Sequence, residues 1–300
     1  MAQLPLLRGV LPMLVTPFRE DGALDEQSLV RLVEHVLVSG ADGIAVGGLA
    51  SEAHALSGRE RRRVVEVVAS QARGRAPVLV TASAESTPLA VDLARHAEQH
   101  GATAVMLAPP SVTQAGASGL ARHYGAVAEA VRLPLMIQDA PAYIGKELGI
   151  EFIAHLAREH PTIRYVKTEA VPAGAVVAEL RTQLGEAVGI FSGAGGLYFL
   201  DTLRAGSAGT IPGCDLPELL VAVHRAYAEG RVARSEALFR RILPLLVYQM
   251  QALDICIASQ KCILAHRGII ARPNLRSPGL VLERRAVADL ITLYEALDLS

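Results

Sequence analysis

Lysine is scarce in this 300-residue chain: of its 29 basic residues only Lys146, Lys167 and Lys261 carry an amine, and the other 26 are arginines. Any search for an amine nucleophile is thereby confined to three positions. Cysteine is equally sparse. Cys214, Cys256 and Cys262 are odd in number and lack CxxC spacing, so neither a disulfide framework nor a zinc site follows, and they read as small buried hydrophobes. Nothing else in the sequence indicates a metal. No apolar run reaches about 18 residues, and the N-terminus lacks a basic start, a long apolar core and a small-residue cleavage site. The expectation is a protein without a membrane span, at home in a reducing cytoplasm. A basic excess is missing too: the formal net charge is -1. That argues against a nucleic-acid partner, which calls for a concentrated positive surface. Short repeats and low-complexity linkers are also lacking.

What the chain does have is apolar content, 51% of its residues, enough for a substantial core. Short β-rich runs alternate with longer amphipathic stretches, the pattern of successive βα units with a parallel core. Eight strands are expected, at 10–16, 43–46, 78–81, 104–107, 135–138, 163–167, 188–191 and 209–211. Helix signals fall between them. Ser57 and Glu60 in LSGRERRRVVEVV fit a capping box, and Pro88 and Gly101 punctuate the two ends of the next helix. Eight units spaced about 25 to 35 residues apart close a barrel more readily than they build an open sheet. The fold class is therefore an α/β (β/α)8 TIM barrel. After Glu229 the alternation stops, and three stretches of helical period follow. The expected division is a catalytic barrel over 1–229 and a C-terminal helical appendage over 230–300.

Catalytic groups in a barrel sit at the C-terminal ends of its strands and in the loops beyond. IRYVKTE ends the sixth strand with Lys167 after an apolar run, beside a low-dielectric interior. Desolvation there favours the free amine, the form that attacks a ketone; a salt-bridged lysine closing the strand is the plainer alternative. Lys146 falls in a loop and Lys261 on a helix, where solvated roles are expected. Glu169, two residues past Lys167, points the same way if the strand continues. It is a candidate acid or base, or the lysine's ion-pair partner.

VGGLASEAHALS follows the second strand, and its backbone at Gly48, Leu49 and Ala50 could cradle a carboxylate with help from the Ser51 hydroxyl. His54 could reach the site, though a surface or packing role is commoner. The fifth strand brings Gln138 and Asp139 to the mouth, of which alternation lets one face inward. Ser111 offers a hydroxyl after the fourth strand. FSGAGG, with Ser192 and Gly193, and AGSAGTIPG, with Gly209 and Ile211, lie where many barrels bind phosphate, and could equally hold a carboxylate or be plain turns.

Taken together, VTPF ending at Phe18, DGALD, SEAHALSGRER, the strand-end Lys167 and GSAGTIPG resemble the family of dihydrodipicolinate synthase and N-acetylneuraminate lyase. The likeness runs over essentially the whole chain. It implies a covalent Schiff base through Lys167 with a small 2-keto acid, no separate cofactor, and a homotetramer. Departures narrow the expectation. Leu49, Ala50, Ser51 and Glu52 stand where the synthases carry Thr-Thr-Gly-Glu, Gln138 replaces the family's tyrosine, and Ser111 and Val112 replace its Tyr-Tyr pair. Tyr143 aligns with its carboxylate-binding arginine. The combination of ASE, IQDAP and Lys-x-Glu resembles the branch that dehydrates 2-keto-3-deoxy sugar acids such as 2-keto-3-deoxy-L-arabinonate. A pyruvate-dependent aldolase, a 4-hydroxy-tetrahydrodipicolinate synthase-like condensation and a non-catalytic keto-acid-binding barrel are the alternatives. The missing tyrosines leave Ser51, Asp139 and Glu169 as candidates for proton transfer.

Overall fold

Successive strand residues face opposite sides, so a strand covered on both faces must be apolar almost throughout. The chain meets that condition eight times. The computed structural model describes residues 7–113 and 115–298, so the outermost residues of the two expected units, 1–6 and 299–300, lie outside it. The strands are β1 (Gly9–Val10), β2 (Ile44–Val46), β3 (Val78–Thr81), β4 (Ala104–Leu107), β5 (Leu135–Asp139), β6 (Ile163–Thr168), β7 (Gly189–Ser192) and β8 (Gly209–Thr210). All pairings are parallel, in the order β1-β8-β7-β6-β5-β4-β3-β2.

The expected first strand over 10–16 is shortened to two residues. Pro12 has no N–H to donate, and the chain there leaves β8 for β2. Leu11 N and Met13 N still donate to the β8 side, at Thr210 O and Pro212 O, while Met13 pairs with Ala45 and Leu14 N donates to Ala45 O. These bonds span the seam between the two ends of the sheet.

Inside the barrel, Met13, Ala45, Leu79, Ala104, Met106, Met136, Tyr165, Phe191 and Ile211 form one buried cluster. Their outward neighbours, including Ile44, Val46, Val80, Val105, Ile137, Val166 and Ile190, pack under the helices. The Ser57–Glu60 capping box is present at the start of helix Gly58–Ala72. Gly209 is a packing residue: a Cβ there would lie 1.9 Å from Gly9 O, so only glycine lets β8 lie against β1. Expected at the substrate site, it does not line the chamber described below.

Beyond Glu229, helices Val232–Gln249, Leu253–His266 and Arg284–Glu295 follow. Phe239, Ile242, Leu245, Ile263 and Leu290 share a buried cluster with Val10, Phe199, Leu220 and Val223, so this segment is packed onto the barrel's β8–β1 side. Among the described residues no helix is long and apolar enough to cross a membrane.

Candidate active site

Strand parity decides which side chains reach the barrel mouth. Met136 faces inward on β5, so Gln138 does too; Tyr165 faces inward on β6, so Lys167 and then Glu169 follow. Gln138 and Lys167 are register partners, and Lys167 is in turn opposite Phe191 on β7. Lys167 Nζ lies 3.3 Å from Glu169 Oε2, both side chains being buried. Glu169 is itself held twice more: the Gln138 amide donates to Oε2 at 2.9 Å, and Ala194 N donates to Oε1 at 2.8 Å. Of the two sequence readings of Glu169, the ion-pair partner is the one observed, and the residue also lines the chamber.

Around this triad is a cavity of about 40 Å³ whose wall includes Leu49, Ala50, Tyr143 and Ile211, all expected from sequence. Burial holds the Tyr143 phenol above its ordinary pKa, with the Glu169 charge adding to the effect. Leu49 and Gln138 also belong to an outer cleft of about 530 Å³, lined by Gly48, His54, Arg61, Thr81, Glu85 and Ser111 among others. The two spaces therefore adjoin at these shared residues.

Other expected residues lie elsewhere. Ser51 is fully buried and its hydroxyl is committed, donating to Leu14 O at 2.5 Å and accepting from Gly47 N at 3.1 Å. It holds the glycine turn together and does not line the chamber. Asp139 faces outward, as alternation requires, and accepts from Leu148 N at 3.0 Å; burial pushes its carboxyl above the usual range. Ser192 is buried outside the chamber wall, and Gly193 backs Glu169 without lining the cavity. Ser111 opens onto the outer cleft, where its hydroxyl donates to Glu85. Lys146 is half-buried, bonded to Pro110 O and Thr113 O.

Lys261 departs furthest from expectation. It is wholly buried and paired with Glu52, and it donates to Asn274 O at 2.7 Å. Its ammonium also lies 4.4 Å from the centre of the Phe18 ring. A solvated role would need the helix to present that face to water; instead it is clamped against the β2 turn.

The chain belongs to the dihydrodipicolinate synthetase family. The family model matches residues 6–296. L-2-keto-3-deoxyarabonate dehydratase from Azospirillum brasilense is 31% identical, covering 98% of this chain and 96% of that protein. A 4-hydroxy-tetrahydrodipicolinate synthase from Pelobacter propionicus is 35% identical over 69% of this chain and 70% of its own length. The crystal structure of dihydrodipicolinate synthase from Thermotoga maritima superposes with a TM-score of 0.91 at 26% identity, covering 99% of this chain and all of that one. The resemblance first carried by short motifs thus extends over the whole molecule, and the chain is a lyase of the dihydrodipicolinate synthetase family.

Sequence reasoning missed the wall of the chamber contributed from beyond the barrel. Leu253, Cys256 and Gln260 line it from helix Leu253–His266, together with Met250. Gln260 Nε2 donates to Cys256 Sγ at 3.0 Å, and its Oε1 accepts from Cys214 N at 3.1 Å. Burial pushes the Cys256 thiol up to about 12. The available signal was the i, i+3, i+7 spacing of these three residues, one helical face carrying a glutamine among apolar neighbours. A metal is unexpected from motifs; among the described residues Glu66, His96 and His100 bring ligand-type atoms together, outside the chamber wall.

Proposed function

We propose that this protein uses Lys167 to form a Schiff base with a 2-keto-3-deoxy sugar acid and dehydrates it. The observation that carries the reading is a buried amine at the inward end of β6, lining a cavity and lying 3.3 Å from a carboxylate anchored by two further hydrogen bonds. The lysine amine adds to the C2 carbonyl and water leaves, giving an iminium that acidifies C3 as an electron sink. Glu169, already beside Nζ, takes the C3 proton. The resulting enamine expels the C4 hydroxyl, which departs as water once protonated; the C3=C4 unsaturated iminium left behind loses a proton at C5 and gains one at C3, which makes C5 an aldehyde through its enol, and hydrolysis of the imine frees Lys167. Gln138 holds the Glu169 carboxylate in place. The Leu49–Ala50 backbone and Tyr143 surround the substrate's carboxylate end.

Borohydride reduction in the presence of pyruvate or a 2-keto-3-deoxy acid, followed by peptide mass mapping, tests the first step. An adduct on Lys167 is expected, and none with any keto acid would end the proposal. Retro-aldol cleavage proceeds through the same enamine, so product analysis with a 2-keto-3-deoxypentonate decides the second step. Dehydration yields 2-oxoglutarate semialdehyde; cleavage yields pyruvate and an aldehyde. The Azospirillum relative, a dehydratase by name, supports the former. A homotetramer is part of the proposal, to be checked by sedimentation.

A further inference from the structure

Four arginines on or bonded to helix Gly58–Ala72 differ in one respect. Arg62 pairs with Asp92, Arg63 with Glu26 and Glu66, and Arg276 with Glu60. Arg61, half-buried and lining the cleft, has no carboxylate partner among the described residues; it donates one hydrogen bond, to Ser83 O at 2.8 Å. Glu85, on the same cleft, is occupied by Ser111 N, Ser111 Oγ and Val112 N at 3.1, 2.6 and 2.9 Å. A guanidinium does not shed its proton to escape burial, so an unpaired one is a standing cost that an anion relieves. Burial accordingly pulls Arg61 below its ordinary pKa.

A second orphan shares the wall. Thr81 is buried at 6% exposure, faces inward by parity with Leu79, and its hydroxyl has no hydrogen-bond partner among the described residues. Gly47 and Gly48 complete that part of the cleft without side chains of their own. The inner chamber and the cleft adjoin at Leu49 and Gln138, which places the cleft beyond Gln138 as seen from Lys167.

We propose that the outer cleft binds a second carboxylate, at the far end of the substrate, through the Arg61 guanidinium and the Thr81 hydroxyl. The proposal rests on the keto-acid reading of the Lys167 chamber and narrows it: the preferred substrate is a 2-keto-3-deoxy diacid, not a keto acid ending in a neutral alcohol. A charge-assisted, bidentate contact to a desolvated guanidinium discriminates strongly against a tail that leaves it unpaired.

The test compares kcat/KM for two six-carbon 2-keto-3-deoxy acids, one ending in a carboxylate and one in a primary alcohol. The wild type is expected to favour the diacid by about 10²-fold. In Arg61→Gln that ratio collapses towards unity while pyruvate is still trapped on Lys167, and Arg61→Lys lies between. Should Arg61→Gln fail to fold, the wild type alone decides. 2-Oxoadipate is then expected to give half-maximal borohydride trapping at a concentration about tenfold lower than 2-oxohexanoate, which has the same chain length and a neutral end. Equal concentrations, no preference for the diacid, or a greater preference for a terminal phosphate would overturn the carboxylate assignment alone. Absence of any pyruvate adduct would overturn the chamber reading, and this inference with it.

Discussion

Lys261 and Glu52, 209 positions apart in the chain, form an ion pair from which water is excluded. The other Glu52 oxygen accepts from Arg276 N at 3.0 Å, and Arg276 reaches both oxygens of Glu60 in the capping box of the next helix. Helix Leu253–His266, which supplies part of the chamber wall, is thereby fastened to the turn that supplies Leu49 and Ala50.

Breaking one member of such a pair leaves an uncompensated buried charge. Lys261→Met is expected to cost about 3–5 kcal/mol. The double variant Lys261→Met/Glu52→Gln should recover part of that loss. Urea midpoints measure both; a double variant less stable than the single would show that Glu52 is not left uncompensated and that its bond from Arg276 N dominates.

Gly193 backs the Glu169 carboxylate so closely that a Cβ there would lie 2.3 Å from Oε1. Gly193→Ala should therefore push Glu169 off Lys167 with little effect on the fold. A fall in kcat of about 10²-fold is expected, of the size that small misplacements of a catalytic group produce. Glu169→Gln should lose at least as much while still forming the pyruvate adduct. Turnover near wild type in both variants would remove Glu169 from proton transfer.

Asp215 is fully buried, accepts from Gln249 Nε2 at 2.7 Å, and is raised by burial from 3.8 to about 6. Below about pH 4 the folded and unfolded chains both hold this proton; between the two values only the folded chain does. The stabilising contribution is thus present at low pH and lost as pH rises through about 6. Asp215→Asn keeps the acceptor and never ionises, so its stability relative to wild type should improve by about 1–3 kcal/mol between pH 4 and pH 7. Urea midpoints at both pH values check this, and a constant difference would contradict it.

Burial holds the thiols of Cys214 and Cys256 in the protonated form, which is not the nucleophile. Native protein treated with iodoacetamide at pH 8 should leave both unmodified, and urea should expose all three cysteines. Rapid alkylation of Cys256 in the native state, read by peptide mapping, would mean that the chamber opens readily to solvent.

Much of this architecture was legible in the chain. Apolar runs of strand length, repeated eight times with helix-forming stretches between, admit few arrangements besides a barrel, because both faces of every strand must be covered. The same period placed Lys167, Glu169 and Gln138 at strand ends, since parity along a strand is a local property. The sequence even limited Gln138 and Asp139 to one inward member. Only the fold showed that it is Gln138.

Contacts between distant segments were settled by the tertiary structure alone. Ser51 was chosen for its hydroxyl, yet that hydroxyl is consumed by Leu14 O and Gly47 N. Lys261 looked like a surface lysine on a helix until Glu52 and Phe18 met it from the other end of the chain. The unpaired state of Arg61 depends on where Ser83 and Glu85 fall, not on its neighbours in sequence. Periodicity acts over a few residues, so one sequence suffices to read which side chains reach a strand end. Desolvation and pairing depend on everything within a few ångströms, and only the folded chain determines which charges are satisfied and which wait for a ligand.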